Sequence, residues 1–190
     1  MTFQHNSLYL VLAILGGIAY PVVVYFALPL VPPAALVMTG VGLICLRLAG
    51  MGRLAQWKGW RLAFLLAVIG LIVLLVLSPR LAAQAYPVAI SLSVAGVFAV
   101  SLYVPPTIVE RFARMSEPDL PPQGVLYCRK VTLVWIAFLL GNAGISMATA
   151  LWGSLAQWTL WNGLLSYIAM GALFAGEFLV RRLVKRRARV

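Results

Sequence analysis

Long apolar runs divided by basic clusters, every cluster at the same end of the runs, constrain this chain more than any other feature. Arg47, Arg53, Lys58 and Arg61 form one cluster, and Arg111, Arg114, Arg129 and Lys130 a second. Arg181, Arg182, Lys185, Arg186, Arg187 and Arg189 form the third, and of the fifteen Lys and Arg residues only Arg80 stands apart. Between clusters the chain runs out through apolar sequence and back. Positive charge resists translocation, so this is the asymmetry of a polytopic membrane protein with its basic loops on the cytosolic side. Composition agrees: 63% of residues are hydrophobic and 10% are charged, against about a quarter charged in a soluble domain. A net charge of +11 would point to nucleic acid in a soluble chain. Here the cations flank apolar spans and do not interleave with aromatics on a polar face. They read as orienting charges that meet anionic lipid headgroups, with no nucleic-acid partner.

The expected architecture is all-α: a polytopic transmembrane helical bundle forming one integral membrane domain over 1–190. Six spans are expected, at about 8–30, 33–48, 60–77, 85–104, 130–151 and 158–180. A cytosolic loop covers 105–129 and a basic tail 181–190. The first run carries Pro21 and covers about 34 Å at 1.5 Å per residue, enough to cross a bilayer. No Lys or Arg precedes it, so it lacks the charged start of a cleavable signal peptide and is expected to be retained. Pro33 suits the first turn of the second helix. Trp57 and Trp60 are expected at the inner interface, Ser78-Pro79-Arg80 at the outer end of the third span. The uncharged turn 153–157, flanked by Trp152, Trp158 and Trp161, reads as an outer aromatic belt. Both termini then face the cytosol of a bacterial inner membrane. Cys45 and Cys128 fall near that reducing compartment, where a disulfide does not form.

Three places could carry chemistry. The first is the stretch PPTIVERFARMSEPDLPP, 105–122. Thr107 followed by Glu110 fits a capping box, and Ile108, Phe112 and Met115 recur at i, i+4, i+7. Glu110 can pair with Arg114 one turn on. This predicts a short amphipathic helix on the inner leaflet with those three apolar residues toward lipid or the bundle. Asp119 then sits in a stiff, proline-rich connector. The stretch is either an anchored connector or a docking surface or substrate mouth. The second place is Glu177, the acidic residue inside an apolar span. It either pairs with Arg181 or Arg129 near the surface, or serves a proton or substrate pathway. Asn142 and Tyr167 reach mid-membrane depth on adjacent spans, where they either hydrogen-bond between helices or line a cavity. Small residues at Gly144 and Ala148, and at Gly171 and Ala175, allow close helix packing.

Other chemistries are excluded by what the sequence lacks. One histidine, His5, cannot build a metal site or supply a Ser-His-Asp set. No acidic cluster can hold Mg²⁺, and no glycine loop with a following lysine cradles phosphate. No metal and no cofactor is expected.

The second half also resembles a known group. Tyr86-Pro87, then PPTIVERFARM, DLPP, YCRKVTLVW, Asn142, NGLLSY and GALFAGEFLVRR resemble bacterial inner-membrane proteins encoded beside acyl-carrier-protein, ketosynthase and acyltransferase genes for aryl-polyene or xanthomonadin-type pigments. More distantly, with Trp135 and Asn142 as its W…N pattern, the chain is similar to the intracellular septation protein A family. The resemblance covers about 85–182. It implies a cell-envelope or lipid-linked function, with membrane or acyl-carrier-linked protein partners, and supplies no catalytic residues. The expectation is a non-catalytic protein supporting envelope or acyl/polyene-lipid assembly. The alternative is a transporter or flippase of an acyl or polyene lipid using Glu177 and the midplane polar groups; a membrane acyltransferase is a third reading. A closed bundle favours the first. A cavity reaching Asn142 and Glu177 favours the second.

Overall fold

Prolines cut this chain into helices. Pro33, Pro79, Pro87 and Pro122 each stand in the first turn of a helix, where a missing N–H leaves nothing unsatisfied. The structure, a computed structural model, describes residues 2–50 and 58–187. Arg53, Trp57 and Arg189 lie outside the described residues, as do the side chains of His5, Lys58, Trp60, Lys185, Arg186 and Arg187. The elements are α1 (Thr2–Ala27), α2 (Pro33–Gly50), α3 (Lys58–Leu77), α4 (Pro79–Gln84), α5 (Tyr86–Tyr103), α6 (Ile108–Ser116), α7 (Pro122–Trp152), α8 (Leu155–Leu160) and α9 (Ser166–Arg187). A π-helical turn, Trp161–Leu165, joins α8 to α9 without a break. No strand occurs among the described residues.

Three helical segments are long and apolar enough to cross a membrane: Tyr86–Tyr103, Pro122–Trp152 and Leu155–Arg182. Three shorter apolar helices accompany them, Ile14–Ala27, Pro33–Arg47 and Arg61–Leu77. The chain is thus an all-helical membrane protein. Helices α1 and α2 form a hairpin, α3 packs on α2 and α5, α5 on α7, and α8 with the π turn closes back onto α1 and α7. The result is a ring of helices. Its tightest core lies where α1, α2, α3 and α4 meet, around Tyr20, Val24, Ile44, Phe64, Leu71 and Ala83.

Two prolines leave a backbone carbonyl without its helical donor, and a tyrosine replaces the donor each time. Pro87 cannot donate to the carbonyl of Ala83, four residues earlier. The buried Tyr20 hydroxyl donates to that carbonyl at 2.7 Å and lies 3.2 Å from the carbonyl of Leu36. One side chain thereby ties α1 to α2 and α4. Pro21 likewise deprives the carbonyl of Gly17, and the Tyr167 hydroxyl on α9 donates to it at 3.4 Å.

Several expectations are corrected. Ser78-Pro79-Arg80 follows the end of α3 at Leu77, as expected, but does more. It opens α4, whose Ala82, Ala83 and Gln84 are buried in the bundle. The loop expected over 105–129 ends at Pro121. Pro122 pre-sets the helical φ, and Leu120 folds onto Gly124, where a Cβ would stand 2.9 Å from its side chain. Helix α7 therefore starts early, is 31 residues long, about 46 Å, and carries Arg129 and Lys130 exposed on its flank.

Helix α6 forms as expected, with Thr107 accepting the N–H of Glu110 at 3.2 Å. Ile108, Glu110 and Ala113 are buried, while Phe112 and Met115 are 59% and 80% exposed, the arrangement open to them on a lipid-facing stripe; the inward acid is the feature the spacing did not predict. Glu110 does not close the capping box. It turns instead to Arg114, at 2.8 Å, which lets a carboxylate face inward. Ser101, buried at the end of α5, donates to the Phe98 carbonyl and accepts the Ile108 N–H at 3.2 Å, fixing where α6 begins.

Candidate functional site

The π turn sets the site. One extra residue per turn shifts the register of α9 relative to α8. Asn162 secures the turn: its Nδ2 donates to the Trp158 carbonyl at 2.9 Å, and its Oδ1 accepts from Ser146 of α7 at 2.6 Å. Beyond it the backbone of α9 packs mainly on the turn it grows from. Large side chains bridge the gap to α7, with the Trp135 and Phe174 rings 4.5 Å apart. A cavity of about 840 Å³ remains between α1, α5, α7 and α9, closed on one side by residues 109–124.

The cavity is polar at both ends and apolar between. Val94, Phe98, Val131, Leu139, Met170 and Phe174 wall its middle. From Tyr167 to Arg181 it follows about 21 Å of α9. One end holds Glu117, Gln123, Tyr127, Glu177 and Arg181. Arg181 approaches Glu117 at 4.0 Å, and Tyr127 donates to the Glu177 carboxylate at 3.4 Å. The other end holds Arg47, Tyr86, Ser91, Asn142 and Tyr167. Asn142 donates to Ser91 on α5 at 3.0 Å and accepts from the Trp161 indole at 3.1 Å. Arg47 and Tyr86 converge on Gly17. A Cβ there would stand 2.6 Å from the Arg47 guanidinium and 3.2 Å from the Tyr86 hydroxyl, so a larger residue would push the Arg47 tip aside.

Of the residues singled out in the sequence, Asn142, Tyr167 and Glu177 line this cavity together. Glu110, Arg114, Asp119 and Arg129 do not. Glu110 and Arg114 brace the loop, Arg114 donating also to the Pro118 carbonyl at 3.0 Å. Asp119 and Arg129 are exposed. The ion pair expected between Glu177 and Arg181 or Arg129 is not made within 4.0 Å; Arg181 turns to Glu117. The stretch 105–122 does contribute to the cavity, through Val109, Phe112, Ala113, Glu117, Leu120 and Pro121.

Sequence reasoning missed Arg47, Tyr86 and Ser91. Arg47 was counted as an orienting charge, although its place on the face of Gly40 and Leu43, the face that packs on α1 and Tyr86, was a usable signal. Nothing in the sequence paired Ser91 with Asn142, since they lie 51 residues apart. Among the described residues no three His, Cys, Asp or Glu side chains gather to hold a metal. Comparisons with protein families, curated proteins and solved structures gave no match.

Proposed function

We propose that this is a non-catalytic membrane protein of the transporter or flippase kind, which receives an acyl or polyene amphiphile in the cavity between α1, α5, α7 and α9 and passes it on in cell-envelope or lipid-linked assembly. The observation that carries the reading is the cavity itself. It falls in the size range of ligand pockets, about 300–1,000 Å³, has an apolar middle, and reaches both Asn142 and Glu177. A scaffold needs no such space. The cavity's shape suits a long apolar chain with a polar head, and its groups offer hydrogen bonds and charge for binding. The resemblance to proteins encoded with aryl-polyene genes, and more distantly to septation protein A, supplies the envelope context. Anionic headgroups at the basic tail and membrane or acyl-carrier-linked proteins are the partners this reading implies.

The same reading places the protein in a bacterial inner membrane with six crossings, the three shorter apolar helices completing them, and both termini in the cytosol. Accessibility labelling of Lys58→Cys, Arg114→Cys, Arg80→Cys and Gln157→Cys variants tests the orientation. The first two should label only from the cytosol and the last two only from outside, and external labelling at position 58 overturns it.

The cavity reading is tested on protein purified from native membranes, by mass spectrometry of the lipids it retains. One class of amphiphile should be enriched over the bulk membrane, and filling the cavity with Leu139→Trp should remove it. Retained lipid identical to the bulk membrane in both proteins overturns the reading.

A further inference from the structure

The acids of this chain are few, and none of them serves Arg47. Glu110 pairs with Arg114, Glu117 with Arg181, and Glu177 accepts from Tyr127, while Asp119 is exposed in the connector. Among the described residues Arg47 has no carboxylate within 4.0 Å. Its Nε is buried without a hydrogen-bond partner, and the Tyr86 hydroxyl, on a residue 3% exposed, has only the Arg47 side chain beside it. Both side chains line the cavity and converge on Gly17. A guanidinium stays charged at any pH the protein meets. Half-buried in the cavity wall with no carboxylate beside it among the described residues, it is costly unless an anion meets it. An arginine that only oriented the helix would turn its head to water at the interface.

We infer that this end of the cavity is a binding site for the anionic head of a single-chain amphiphile, a carboxylate or a phosphate. Arg47 and the Tyr86 hydroxyl hold the head, and the apolar tail lies along Val94, Leu139 and Phe174. The inference rests on the reading that an amphiphile occupies the cavity. The charge sorts the two ends. Arg181 already faces Glu117, whereas Arg47 faces no acid. The guanidinium fork suits either oxyanion, since each presents two oxygens in the same geometry. The Tyr86 hydroxyl adds a second donor.

The test uses the full chain in nanodiscs and reads quenching of Trp135, whose ring walls the cavity, against a Trp135→Phe control. The probes are stearate, stearyl alcohol and a stearoyl lysophosphatidate, each dibrominated at mid-chain. Stearate, lysophosphatidate or both should bind between about tenfold and a hundredfold more tightly than the alcohol. Whichever binds more tightly identifies the head. Arg47→Gln should bring the anion down to the affinity of the alcohol and leave the alcohol unchanged, and Arg47→Lys should recover part of the difference. If folded Arg47→Gln binds the anions as the parent does, the head site is wrong and the cavity reading stands. If no brominated chain quenches Trp135, the cavity reading itself fails. Should Arg47→Gln not fold, Tyr86→Phe decides, because it removes only the hydroxyl and keeps the ring. Severalfold weaker anion binding supports the site, and unchanged binding overturns it.

Discussion

The Tyr167 hydroxyl donates to the carbonyl of Gly17 at 3.4 Å, and that carbonyl is the one Pro21 leaves without its helical donor. A proline within α1 and a tyrosine on α9, 150 residues from its acceptor, thus form one device. Thr159 adds a second link, lying 3.5 Å from the Pro21 carbonyl. The missing hydrogen bond in α1 becomes the place where α9 attaches to α1, beside the proposed head site.

The device predicts a coupling that can be measured. Tyr167→Phe strands the Gly17 carbonyl and should cost about 1 kcal/mol, as interhelical hydrogen bonds in membranes do. Pro21→Ala restores an N–H to that carbonyl, so in the Pro21→Ala background the same Tyr167→Phe change should cost close to nothing. A double-mutant cycle on thermal stability in detergent measures the difference. Purely additive costs would show that Tyr167 does not act for the missing donor.

The π turn gives a sharper prediction. Removing Leu164 converts Trp161–Leu165 toward a regular helix and rotates everything after it by about 100°. Tyr167, Met170, Phe174 and Glu177 would then leave the cavity wall together. The expected variant keeps its helical circular dichroism and loses quenching of Trp135 by brominated amphiphiles. Retained quenching would mean that the register set by the turn is irrelevant to the cavity.

The sequence carried the helices and their coarse arrangement, because basic clusters, prolines and apolar runs act locally. It also carried Asn142, Tyr167 and Glu177, which are conspicuous as polar groups deep in apolar helices. Arg47 was hidden by its own chemistry. An arginine at the end of an apolar run has the same sequence appearance whether it turns to water or into the bundle, and only the packing of α2 against Gly17 and Tyr86 separates the two. The inward turn of Glu110 was hidden for a related reason. An acid reads in a sequence as solvent-facing, but Arg114 neutralises Glu110 and lets it face inward. The early start of α7 depended on Leu120 folding over Gly124, a contact that neither residue announces.

That inward acid makes the Glu110–Arg114 pair asymmetric. Glu110 is 7% exposed in its side chain and Arg114 39%. Arg114→Ala leaves a carboxylate buried without its partner and should cost about 2 kcal/mol or more. Glu110→Gln removes the buried charge along with the pair and should cost about 1 kcal/mol. Thermal melts of the two variants decide the order. Equal losses would show that Glu110 is already well solvated.

Glu177 separates binding from coupled transport. Its carboxylate accepts from Tyr127 at 3.4 Å, on the wall of the cavity, while Arg181 engages Glu117 instead. A glutamine at 177 keeps an oxygen for the Tyr127 hydroxyl, so Glu177→Gln should change stability by less than about 1 kcal/mol. Glu177 also lies about 15 Å along α9 from Tyr167, far from Arg47, so anion binding at the proposed head site should be unchanged. In cells, complementation of a deletion strain by Glu177→Gln should remain largely intact if the cavity only holds and passes on its ligand. A Glu177→Gln protein that inserts normally, binds amphiphile normally and yet fails to complement would show that the carboxylate's charge is used after binding. Glu177 would then be the group that couples proton movement to the ligand.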